Sequence, residues 1–193
     1  MIVCESALEL ECAKILLTDP RVKHVQDQPP SVTYVRPDGT HHRHTFDFLA
    51  TLTDGQRVAI AVKPAAKIES SGIQKTVALI EQQSKGALAD RFIVRTEQHL
   101  TRDRAFNASW LLRARRSRNA ADVHRMRHTV SGIRGSISMG DLVRFSGLGA
   151  RGWDALVHLI DEGTVELVRL VRFSDTALVR HHPTKRIQEA ANA

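Results

Sequence analysis

The chain has no apolar run approaching the roughly 20 residues of a membrane-spanning helix, and no basic-then-apolar signal segment opens it. A cytoplasmic protein is therefore expected. Cysteine is scarce. On one helix Cys4 and Cys12 would stand about two turns apart, too far to bridge, so both read as reduced core thiols. Acids are in the minority, with 21 Asp and Glu against 28 Lys and Arg, a formal charge of +7 and a pI near 10.0. That balance favours a polyanionic partner, nucleic acid first and a membrane surface second. Internal repeats and low-complexity segments are both missing. What is present, 193 residues at 42% hydrophobic content, suits one ordinary domain or a domain with a small appendage.

Along the chain, "CESALELECAKILLTDP" places Leu8, Cys12, Ile15 and Leu16 at helical spacing, and Asp19-Pro20 stops the helix. "RPDGT" is a turn signal, and the runs flanking it, Val32–Val35 and Thr45–Leu52, are expected to pair as strands. "TDGQ" makes a second turn before the strand "RVAIAVK". A helix follows in "SGIQKTVALIEQQSKGAL", with Ile73, Val77 and Ile80 on one stripe, and then a strand in "RFIVRT". This order predicts an α/β fold, a mixed sheet flanked by helices and closed by a helical crossover.

Composition then shifts. Between Arg113 and His128 stand six arginines (Arg113, Arg115, Arg116, Arg118, Arg125 and Arg127) with one acid, Asp122. So many cations with one local counter-charge favour phosphate contact over a merely solvated face. A domain boundary is expected near Ser131–Ser136, giving a first domain over 1–130 that includes the basic helical segment 113–128. A second domain is expected over 131–183 and a loose tail over 184–193. The second segment runs as a short helix (Met139–Phe145), a glycine-bearing turn, a second helix (Ala150–Asp161) and two β-rich runs. That pattern predicts a small winged helix-turn-helix. Arg151, Asp154, Ala155 and His158 would then face outward, with Arg151 placed to meet DNA, while Trp153 reads as packing. Such modules also dock proteins.

The segment "HTFDFLATLTDGQRVAIAVKP" carries an acid, Asp47, on one strand and a lysine, Lys63, ending the next. Strand parity puts Ala59, Ala61 and Lys63 on one face and Val58, Ile60 and Val62 toward the core. An acid and a lysine at this spacing suit Mg²⁺-dependent phosphodiester hydrolysis, in which the metal activates water and the lysine steadies developing negative charge. Spacing alone does not separate this from any amphipathic hairpin. His41, His42 and His44 read as a solvated hairpin end rather than a zinc site.

Several short matches in order make residues 5–115 resemble the N-terminal domain of the TnsA family of transposon-end endonucleases. They are "SALE", "DPRV", "QPPSVTY", "FDFLATLTDG", "VAIAVKP", "RTEQHL" and "FNASWLL". The resemblance implies a restriction-endonuclease-like fold followed by a winged-helix-like domain. It also implies roles for Glu9 and Asp47 as metal-holding, catalytic acids and for Lys63 as the catalytic lysine. The family's third ligand, Glu or Gln, should stand at position 61, where this chain has Ala61; Phe46 replaces a proline often found before the strand acid. Glu9 and Asp47 alone would hold Mg²⁺ weakly or not at all, and Glu69 or Gln74 are the nearest substitutes in sequence. The expected function is a protein that binds double-stranded DNA with cleavage weak or lost. The alternatives are an active Mg²⁺-dependent endonuclease working beside a transposase, and a regulator or assembly subunit without chemistry.

Overall fold

The computed structural model describes residues 2–84 and 86–182. The expected tail at 184–193, and residue 183 of the expected second domain, lie outside the described residues. Two compact units divide within one helix, between Ala105 and Phe106.

In the first unit, helix α1 (Ala7–Thr18) opens on Ser6, whose hydroxyl accepts the Glu9 N–H at 3.2 Å. The Glu9 carboxylate closes the cap, accepting the Glu5 N–H at 2.7 Å and the Ser6 hydroxyl at 2.8 Å. The main sheet has four strands in the order β1 (Val22–Asp27), β4 (Phe48–Leu52), β5 (Arg57–Val62) and β6 (Arg91–Arg95). β4 runs antiparallel to both β1 and β5, whereas β5 and β6 are parallel. A parallel pair needs a crossover. Two helices supply it, α2 (Ile68–Ser71) and α3 (Ile73–Ser84), broken apart by Gly72 at a left-handed φ of 62°. The mixed sheet flanked by helices is compatible with a restriction-endonuclease-like fold.

Two expectations change here. Val32–Val35 (β2) pairs not with Thr45–Leu52 but with His41–His44 (β3), forming a separate two-stranded sheet around the Arg36–Thr40 turn. The strand freed by that change, β4, sits between β5 and a strand not expected from sequence, β1, whose exposed lysine, histidine and glutamine hid its alternation. The face assignment of β5 also changes, because both faces are covered. Ala59 and Ala61 pack with Phe46, Phe92 and the Ile73, Val77 and Ile80 stripe of α3. Val58 and Ile60 lie on the other side with Cys12 and Ile15 of α1.

The second unit holds most of α4 (Arg102–Arg116), then α5 (Ala120–Ser131), β7 (Ser136–Ser138), α6 (Met139–Ser146), α7 (Arg151–Asp161), β8 (Val165–Leu167) and β9 (Leu178–His181). Its three strands run in the order β7-β9-β8, all antiparallel. Ala114 of α4 and Val123, Met126 and Val130 of α5 share one core with Leu142, Leu156, Leu159 and Val179. The boundary expected near Ser131–Ser136 therefore falls inside this unit. The apolar stripe of α5, interleaved with arginines in sequence, belongs to the core that follows it. Among the described residues no helix is long and apolar enough to cross a membrane.

Candidate functional site

Asp47 stands in a bend immediately before β4 rather than within a strand. Its backbone N–H donates to the Ile60 carbonyl at 3.0 Å, and its own carbonyl accepts the Gln28 N–H at 3.0 Å. One carboxylate oxygen, Oδ2, accepts the Val62 N–H at 2.7 Å. Gln28 holds a φ of 40°, a left-handed conformation that is strained for a residue with a Cβ. Pro29 and Pro30 follow it directly, so the chain leaving β1 is stiff where it meets Asp47.

The three residues carried over by resemblance share one electrostatic neighbourhood. Burial pushes the Asp47 carboxyl above its ordinary value, and the negative charge of Glu9 adds to that rise. The Val62 N–H and the Lys63 ammonium oppose it. Lys63 follows β5, its N–H donating to the Arg95 carbonyl at 2.9 Å. Glu9 reaches this neighbourhood from α1 with both carboxylate oxygens already engaged in the helix cap.

Position 61 differs in kind. Ala61 is 2% exposed, and its methyl group packs among aromatic and aliphatic side chains. Phe46, at the other departure from the family pattern, is equally buried and joins the same core. Glu69 on α2 and Gln74 on α3 are both solvent-exposed. Among the described residues no three His, Cys, Asp or Glu side chains are grouped to hold a metal ion. His44, expected at a solvated hairpin end, instead has its Nε2 buried without a partner among the described residues. Its ring meets Phe46 edge-on at 4.7 Å, and burial, helped by the nearby Lys63 charge, lowers its pKa. Cys12 is a core thiol, pushed up to about 12 by burial, whereas Cys4 is only half-buried.

In the second unit the arginine-rich run finds counter-charges that lie far away in sequence. Arg115 grips Asp161 with two bonds of 2.7 Å. Arg127 and Arg118 both reach Glu162, at 2.5 and 3.5 Å, and Arg113 reaches Asp154 at 3.5 Å. Arg125 donates to the Ser146 carbonyl at 2.6 Å. Arg151 pairs loosely with Asp122 at 3.7 Å and keeps 70% of its side chain exposed. Only Arg116, of the seven arginines expected at DNA, is exposed with no partner among the described residues. The outward face expected on α7 is likewise different: Ala155 and His158 are buried, and Asp154 is tied to Arg113. Trp153 packs against Trp110 of α4 at 5.8 Å between ring centroids.

Sequence reasoning missed another set of cations. Arg91 and Arg95, four apart on β6, project to the side of the sheet away from Phe92 and Val94. They line a half-open cavity of about 440 Å³ together with Arg104, His99 and the Asp19–Arg21 pair. The signal that could have found them is the alternation of charged and apolar residues in "RFIVR".

Residues 19–101 match the family model described as TnsA-like endonuclease N terminal. Over that range the first unit is thus similar to the TnsA-like endonuclease N-terminal domain. The matched range takes in Asp47, Ala61 and Lys63 and begins after Glu9. No curated protein matches the chain.

Proposed function

We propose that this chain is a double-stranded-DNA-binding protein built on a TnsA-like nuclease domain, with its capacity to cut DNA weak or lost. The observation carrying this reading is the contrast between Asp47, held at three points beside Lys63, and Ala61, sealed in an apolar core where the family places a ligand. Mg²⁺ demands near-octahedral oxygen coordination and is usually held by one or two carboxylates plus waters and substrate phosphate. Here the candidate carboxylates are Asp47, with one oxygen bonded to Val62, and Glu9, committed to its helix cap. Mg²⁺ is therefore expected to bind weakly or not at all. A transposase partner and a cytoplasmic location belong to the same proposal.

For the second unit, the order of α5, β7, α6, α7, β8 and β9, with strands arranged β7-β9-β8, supports a winged-helix reading. α7 then occupies the recognition-helix position, and Arg151 at its start has the exposure to reach DNA. Because the rest of α7 is packed or ion-paired, a docking or assembly role for this unit is the second reading.

The test is to titrate random-sequence duplex with the full chain and, separately, to incubate supercoiled plasmid with millimolar Mg²⁺ or Mn²⁺. Binding without nicking is expected. Nicking that Asp47→Asn abolishes would establish a working endonuclease instead.

A further inference from the structure

The cavity on the α1 side of the main sheet combines an apolar floor with a cationic rim. Ile15 and Leu16 of α1, with Ala50, Val58 and Ile60, line its depth. Around them stand Arg91 and Arg95 from the edge strand β6, Arg104 from the first turn of α4, and Arg21. Among the described residues the only carboxylate in the lining is Asp19, and both its oxygens are taken by Arg21, at 3.0 and 2.7 Å. Arg104 donates to the His99 carbonyl at 2.5 Å, which fixes its position without neutralising its charge. The guanidinium groups of Arg91 and Arg95 have no hydrogen-bonding or ion-pair partner among the described residues.

Three guanidinium groups without matching acids beside a partly dehydrated cavity repel one another, and the apolar floor weakens the water screening that would soften the repulsion. Burial indeed lowers the Arg95 pKa, and Arg104 and Arg91 lower it further, although Cys12 acts against them. An anion placed between the three groups would turn that repulsion into attraction. Guanidinium forks match phosphate oxygens two at a time.

We propose that Arg91, Arg95 and Arg104 form a phosphate-binding site on the α1 side of the sheet. Cys12, in the lining of this site, is close enough to feel the charge of Asp47. The proposal deepens the DNA-binding reading, because a duplex backbone is the most abundant source of such a group, but it stands on the cavity alone. A phosphate carried by a small molecule would meet the same three side chains.

Two measurements on the full chain separate the sources. The first is thermal unfolding in inorganic phosphate against chloride at equal ionic strength. The second is the salt dependence of binding to a labelled random-sequence duplex. Phosphate should raise the midpoint of the native chain, and Arg91→Ala with Arg95→Ala should remove that rise. The double variant should also bind duplex with a salt slope shallower by up to about 2 units, one for each lost phosphate contact. Arg95→Lys should retain part of both effects, since it keeps the charge and loses the fork. Loss of the phosphate effect with an unchanged duplex slope would assign the site to a small phosphorylated ligand. Should the chain bind no duplex at all while keeping an Arg95-dependent phosphate effect, the DNA reading fails and the site stands. If the double variant, with native far-ultraviolet dichroism, matches the parent in both measurements, the site does not exist.

Discussion

Asp47 and Ala61 sit one strand apart and illustrate opposite uses of burial. Asp47 is charged in a place that disfavours charge, and its folded-state pKa lies above the ordinary 3.8. A carboxyl shifted in that direction favours folding at pH below 3.8 and loses the contribution as pH rises through the folded value. At neutral pH the ionised group therefore works against stability. Asp47→Asn keeps an oxygen for the Val62 N–H and discards the charge. We expect it to raise the unfolding midpoint at pH 7, with the gain vanishing near pH 3 as both states of the parent become protonated. Melting curves across that range would show it, and a gain that persists at low pH would mean that charge is not its source. Ala61 presents the converse. Restoring the family's acid through Ala61→Glu adds volume and a carboxylate to a packed core, so it should cost roughly 3 kcal/mol or more in metal-free buffer. If a metal-binding geometry is latent there, millimolar Mn²⁺ will recover part of the loss in denaturant titrations. Absence of any recovery would mean the backbone around position 61 is no longer shaped for a ligand.

The helices of the second unit show how an element's charge can be misread from its own segment. Arg113, Arg115, Arg118 and Arg127 stand near a single acid in sequence, but Asp154, Asp161 and Glu162 arrive from α7 and the turn behind it. Arg115→Ala would leave Asp161, whose side chain is only 13% exposed, without its two-pronged partner. Its expected effect is a stability loss of about 1–2 kcal/mol with no change in the salt slope of DNA binding. Arg116→Ala should do the reverse, sparing stability and flattening the slope by up to about 1 unit if it meets a phosphate. A changed slope for Arg115→Ala would return that residue to the DNA interface. Periodicity made α1, the α3 stripe, β5 and the helix pair after Met139 legible, because each repeats apolar residues at its own period. Pairing was less legible: β1 carries too many polar residues to announce itself, and nothing local tells β2 to choose β3 over β4. The candidate sites divide in the same way. Asp47 and Lys63 stand out as a motif in sequence, whereas Arg91, Arg95 and Arg104 come to line one cavity only once β6 and α4 have folded.

At the scale of the whole molecule, the position of the division decides which pieces can stand alone. A cut near Ser131, natural on composition, leaves α5 attached to the first unit and removes α6, α7 and the three-stranded sheet. Val123, Met126 and Val130, each at most 4% exposed, would then lose the side chains that cover them. Burying a side chain of this size contributes about 1.5–3 kcal/mol, so a 1–131 fragment would present an apolar stripe strong enough to drive self-association. A fragment ending at Ala105 carries no part of that core and retains the four-stranded sheet, α1, α3 and the arginine-rimmed cavity. We expect the 1–105 fragment to remain monomeric in sedimentation and to keep binding random-sequence duplex, while the 1–131 fragment aggregates. The comparison also bears on specificity. If DNA site preference resides in α7 and Arg151, the shorter fragment should discriminate no better than any basic surface in competition against random DNA. If it discriminates as well as the full chain, base reading belongs to the nuclease-like domain and the second unit serves to dock a partner.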